Sequence, residues 1–144
     1  MKTSKQGLEV IKKFEGLRLK SYQLPSEAKY TIGYGHYGVD SGITITQLKA
    51  EEYLIKDLAT AENQVNKYQS IYHFNQNEFD ALVSFAYNIG NIKQLTQNGA
   101  RTKTEIGEAF LLYNKSGGRV LKGLTNRRIA ERKLYCTLIP LRLD

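Results

Sequence analysis

The sequence predicts an α+β protein: a short N-terminal helix and a small antiparallel β-sheet packed against a mainly helical C-terminal lobe, with a cleft where they meet. Three observations carry that reading. Apolar residues recur at helical spacing near the start and over most of the second half, whereas between them Tyr30, Ile32 and Tyr34 alternate with Thr31, Gly33 and Gly35. At 144 residues and 41% hydrophobic side chains, the chain is one domain long and can bury roughly 70% of its unfolded surface without disulfides or a metal. We therefore expect a single domain over residues 1–144, with a sheet lobe at about 16–45 and a helical lobe at about 46–144 that takes in the N-terminal helix.

The elements follow in order. Ser4 is a plausible N-cap for Leu8, Ile11 and Phe14, and Gly16 a terminator, so residues 5–15 read as an amphipathic helix whose last residue is Glu15. The alternating stretch around 30–35, flanked by Pro25-Ser26 and by Asp40-Ser41-Gly42, reads as a hairpin or three-stranded sheet. From Thr46 the period turns helical, with Leu54, Leu58, Ala61 and Val65 on one stripe to about Tyr68. Asn75 and Glu78 form a capping box, stapled by Phe74 and Phe79, and the helix they start carries its apolar face to Gly90. Residues 91–103 read as irregular and polar. Ile106, Ala109, Phe110 and Tyr113 make a short helix that ends before Gly117-Gly118, and a last helix begins near Thr125 and buries Ile129, Ala130 and Leu134.

Charge narrows the function classes without choosing one. Twenty-one basic against 14 acidic residues leave +7, but in dispersed pairs such as Lys12-Lys13 rather than runs, which argues against a nucleic-acid partner. No zinc or Walker spacing occurs, so neither a metal nor a cofactor is expected. No apolar run approaches the roughly 20 residues of a membrane span, and the start has no secretory h-region; synthesis in the cytoplasm without a signal peptide is expected. Cys136, the lone cysteine, can form no internal bridge and reads as an ordinary buried residue of a reduced cytosol, and the chain is expected to be a monomer. Ten tyrosines without tryptophan offer flat faces useful against sugars and equally common at core margins.

Glu15 is the residue with chemical promise. A carboxyl in the last turn of a helix meets the negative end of the macrodipole, an arrangement that favours the proton-bearing form a general acid needs. Its neighbours add to this. The strings Phe14-Glu15-Gly16-Leu17-Arg18-Leu19-Lys20-Ser21-Tyr22 and Thr31-Ile32-Gly33-Tyr34-Gly35-His36 stand ahead of Phe79-Asp80-Ala81-Leu82-Val83-Ser84-Phe85-Ala86-Tyr87-Asn88-Ile89-Gly90 and of Gly123-Leu124-Thr125-Asn126-Arg127-Arg128 with Ala130-Glu131-Arg132. In that order they resemble the phage-type lysozymes, the muramidase endolysins of tailed bacteriophages, over about residues 5–136.

The resemblance implies a lysozyme-like fold and an enzyme that cleaves the β-1,4 bond between N-acetylmuramic acid and N-acetylglucosamine in peptidoglycan, its only implied partner, after delivery to the cell wall. It makes Glu15 the general acid and Thr31 the hydroxyl that helps hold the attacking water. It also implies an Asp nine residues after Glu15, where this chain has Leu24. An inverting glycosidase needs a second carboxylate about 6.5–9.5 Å from the acid, and leucine cannot serve. Three outcomes stay open: Glu27, in the same slightly lengthened loop, supplies the base; Glu15 acts alone as in a lytic transglycosylase; or the chain is an inactive glycan- or protein-binding module. Tyr37, Tyr87 and Asn88 fall where the family lines its saccharide groove. Arg127 falls at an arginine that pairs with the catalytic Glu, and of the tandem Arg127-Arg128 only one is expected to face inward. His36, Arg18 and Tyr22 read as structural.

Overall fold

The computed structural model describes residues 1–140, which contain seven α-helices, a 3-10 turn and five short strands. The chain divides into two compact units: residues 11–59, and residues 1–10 together with everything from 60 onward. Helices α1 (Lys5–Glu15) and α2 (Gln47–Asn66) each contribute to both.

In the 11–59 unit, β1 (Arg18–Tyr22), β2 (Tyr30–Gly33) and β3 (His36–Val39) form an antiparallel sheet in the order β1-β2-β3. Gly16, at φ +73°, ends α1 in the left-handed region and turns the chain into β1. Register pairs Tyr22 with Thr31 and Thr31 with Tyr37, with irregularities on both sides of β2. The outer edge of β1 does not face solvent bare: Ser21 N–H donates to Ile43 O and Ile45 N–H to Leu19 O, both at 2.9 Å. Gly33 needs its missing side chain, because a Cβ there would stand 3.2 Å from that of Ala50 on α2. Thr46 caps α2 by accepting the Lys49 N–H at 3.1 Å. His36 packs and pairs within this unit: Nδ1 lies 2.8 Å from Asp57 Oδ2 and the ring stacks on Tyr53 at 4.0 Å. Arg18 lies over Tyr22 at 4.5 Å along β1.

The second unit opens at the chain's beginning. Ser4 Oγ accepts the Gly7 N–H at 3.3 Å, the cap expected, and Ser4 itself donates both N–H and Oγ–H to the fully buried Asp80. Gly7 allows this approach, since a Cβ there would meet Asp80 Cγ at 2.6 Å. Asp80 lies on α4 (Gln76–Ile89), whose capping box of Asn75 and Glu78 closes with two 2.9 Å hydrogen bonds, over a buried Phe74 and Phe79.

Several expectations are corrected here. A four-residue α3 (Gln69–Tyr72) follows α2. Residues 91–103 are not irregular throughout: α5 (Lys93–Thr96) forms because Ile92 and Leu95, three residues apart, are both fully buried. The next helix, α6 (Lys103–Ala109), starts on a second capping box, Thr102 with Glu105, and passes into a 3-10 turn at Phe110–Leu112. Gly117 and Gly118, with φ of +57° and +78°, do more than stop a helix; they turn a hairpin of β4 (Lys115–Ser116) and β5 (Arg119–Val120). The last helix, α7 (Lys122–Tyr135), begins before Thr125, and Ile129 is 52% exposed. Its inner face is built from charge instead: Arg127, Arg128 and Glu131 are buried with Leu134 and Tyr135. Cys136 is exposed, which corrects the expected buried thiol: it is the C-cap residue of α7, one position past the buried Tyr135.

Candidate active site

The seven residues singled out by sequence divide between the units. Glu15, Glu27, Thr31 and Tyr37 belong to the 11–59 unit, and Tyr87, Asn88 and Arg127 to the other.

In the first group, Glu15 is the half-buried final residue of α1. Thr31 is 7% exposed, fixed in the middle strand between Tyr22 and Tyr37 by the register. Tyr37 is 51% exposed, and its Oη accepts the Lys29 N–H at 3.2 Å, tying the loop after β1 to β3. That loop is compact: Glu27 N–H donates to Leu24 O at 3.0 Å and Gln23 Nε2 to Glu27 O at 2.9 Å. Leu24 projects outward, 45% exposed. Glu27 is the contrast, since its Oε2 is shielded from water and accepts no hydrogen bond among the described residues. A shielded carboxylate oxygen with its lone pairs unspent is costly to the fold.

In the second group, both tandem arginines are buried, Arg127 to 4% and Arg128 to 0%, which corrects the expectation that only one faces inward. The backbone positions do diverge by about 100°, but long side chains curl toward a common carboxylate one turn on. Arg127 Nε reaches Glu131 Oε2 at 3.2 Å, and Arg127 Nη2 donates to Ser84 O at 3.0 Å. Arg128 Nε stands 2.8 Å from Glu131 Oε1 as an ion pair, although no hydrogen bond is directed along that line. Ser84 Oγ donates to Glu131 Oε2 at 2.6 Å. Burial pushes the Glu131 carboxyl above the ordinary carboxylate range, opposed by Arg128 and then Arg127, and burial lowers Arg128. Tyr87 is half-buried and Asn88 exposed on the last turn of α4, where Asn88 Oδ1 accepts from Arg128 Nη2 at 2.8 Å.

Arg128, Glu131 and Ser84 were given no role by sequence reasoning, although a carboxylate at i+3 and i+4 from two arginines is a legible spacing. A pocket of about 320 Å³ lined by Glu78, Lys103, Tyr135 and Cys136 includes none of the candidate residues. Among the described residues no group of three or more metal-ligating side chains occurs, and no helix is long and apolar enough to cross a membrane.

The α+β fold is lysozyme-like, as solved structures similar to it show. The phage lysozyme family model matches residues 12–131, and the chain belongs to that family. It is 45% identical to the endolysin of Bacillus phage PZA, with 97% of this chain and 57% of that protein covered. The muramidase domain of SpmX from Asticaccaulis excentricus superposes with a TM-score of 0.81 at 36% identity, covering 95% of this chain and 99% of that one. For the endolysin from Escherichia coli O157:H7 phage FAHEc1 the values are 0.79 and 35%, with 98% of each chain covered. The chain spans only 55–60% of the length of the curated relatives that are 43–45% identical to it.

Proposed function

We propose that the chain is a peptidoglycan muramidase that hydrolyses the β-1,4 bond between N-acetylmuramic acid and N-acetylglucosamine, with Glu15 as general acid and Glu27 as base. The observation that supports this reading is the match to the phage lysozyme family over residues 12–131, together with Glu27, a carboxylate three residues from Leu24 in the loop where the resemblance implies an Asp. Glu15 gives its proton to the bridging oxygen as the bond from that oxygen to the anomeric carbon breaks. A water oxygen bonds to the same carbon from the opposite face, its proton passes to Glu27, and the new reducing end is inverted. Thr31 Oγ1 steadies that water from β2. Tyr37 offers an exposed ring for stacking, and the family resemblance is the ground on which Tyr87, Asn88 and Arg127 are proposed to bind saccharide.

A digest of purified murein followed by mass spectrometry tests this. Reducing-end muropeptides are expected, lost with Glu15→Gln and formed about 10²–10⁴-fold more slowly with Glu27→Gln. Anhydro-muropeptides would instead assign Glu15 alone to a transglycosylase route, and sacculi bound but undigested would leave a binding module.

A further inference from the structure

We infer that Tyr22 is a further catalytic residue, its phenolic Oη holding the attacking water together with Thr31 Oγ1. The inference rests on the hydrolysis proposed above, with Thr31 at the water and Glu27 as base, and it deepens that reading.

The sheet itself brings the two hydroxyls together. Tyr22 on β1 is paired with Thr31 on β2, and directly opposed side chains of an antiparallel pair stand on one face with Cβ atoms about 4.5–5.5 Å apart. Both residues lie within the 11–59 unit. Nearby hydroxyls are already committed: Ser21 Oγ accepts the Ile43 N–H at 3.1 Å and Tyr37 Oη the Lys29 N–H at 3.2 Å. Tyr22 Oη and Thr31 Oγ1 differ, since they make no hydrogen bond among the described residues, to each other or to anything else, and neither is sealed from water. In sequence Tyr22 reads as structural, and its ring does serve the strand, with the Arg18 guanidinium 4.5 Å over it. That contact uses the face of the ring, steadies its plane and leaves the hydroxyl over.

The valences of the water say what a second hydroxyl adds. A water that attacks the anomeric carbon gives one lone pair to the new bond and one proton to Glu27, so a second lone pair and a second proton remain. Thr31 Oγ1 engages one of these, and Tyr22 Oη engages the other, because a hydroxyl can either accept an O–H or donate to a lone pair. Held on all four sides, the water meets the carbon with its reacting lone pair already aimed, and a misplacement of about 1 Å can cost about 10²-fold in rate. Neither hydroxyl is changed by the step: the water's proton ends on Glu27 and the proton of Glu15 on the leaving oxygen.

Tyr22→Phe tests this, because it keeps the ring and its Arg18 contact and deletes only the hydroxyl. On solubilised murein glycan, kcat is expected to fall about tenfold or more, with KM within about twofold and Tm within about 1 °C of the parent. In a Thr31→Val background the same change should cost less than about threefold, since the water has already lost one of the two groups that hold it jointly. Reducing-end products released by Tyr22→Phe as fast as by the parent would overturn the inference and leave the hydrolysis standing. A loss of kcat accompanied by a fall in Tm of several degrees would assign Tyr22 to holding the sheet and would overturn it too. Anhydro-muropeptides or undigested murein from the parent would overturn the hydrolysis itself, and the inference with it, because no attacking water would then be held.

Discussion

Leu24 and Glu27 sit three residues apart in one loop and face different surroundings, which makes their exchange informative. Glu27 holds a shielded oxygen without a partner; Leu24 is nearly half exposed, and its backbone oxygen already anchors the Glu27 N–H. Placing a carboxylate at position 24 therefore buries no new charge, and Leu24→Asp should shift Tm by no more than about 2–4 °C. In a Glu27→Gln background it should restore hydrolysis at least about tenfold, because a base then stands where the family has one. Steady-state rates on murein for the four combinations check this; if the double variant is no faster than Glu27→Gln alone, position 24 does not face the attacking water. The resemblance read from sequence implied an Asp at position 24 and offered Glu27 as one candidate base. What it could not give is which carboxylate oxygen the fold leaves unbonded, since that depends on a loop closed by the Gln23 side chain and the Leu24 carbonyl.

Helix α6 gives the pH dependence with its sign. The Thr102 N–H donates to Glu105 Oε1 at 2.9 Å, and Thr102 Oγ1 accepts the Glu105 N–H at 3.1 Å. The hydrogen bond from the Thr102 backbone, then that with its side chain, holds the Glu105 carboxyl below the usual carboxylate range. A folded-state value below the unfolded one stabilises the native state above the unfolded value, about 4.3, and the benefit disappears as pH falls through the folded value. The melting-temperature gap between the parent and Glu105→Ala should thus be full at neutral pH and shrink in acid. Thr102→Ala removes the cap at any pH, at about 1 kcal/mol. Elements with such local chemistry were legible when their signals were read: α1 from Ser4 to Gly16 and α4 from its box matched. The Thr102-Glu105 box and the Gly-Gly hairpin carried equally local signals and were missed. By contrast, the inward face of α7 was illegible by apolar period, because buried arginines and a glutamate satisfy one another there and hydrophobic spacing points to the exposed Ile129 instead.

At the scale of the molecule, the segment 1–10 is secured to its unit by a few polar groups. Glu62, nearly buried, accepts the Thr3 N–H and Oγ1–H at 2.7 Å each, and Asp80 accepts from Ser4 and from Gln76 Nε2 at 2.8 Å. Gly7→Ala pushes a methyl into Asp80 and should cost about 1–3 kcal/mol, read by chemical denaturation. A smaller loss would show that α1 can shift along α4 without breaking the Ser4 bonds.

That unit is also discontinuous in the chain, which sets an order in time. Residues 11–59 are contiguous, so their contacts with one another can form as soon as they are made. Ser4 must wait for Asp80, 76 positions later. At a bacterial ribosome adding about 5–20 residues per second, the first ten residues spend roughly 4–15 s with no Asp80 to bind. During that interval the segment before α1 is open to proteases and chaperones, and the helix that ends in Glu15 is anchored at its beginning only once Asp80 has been added.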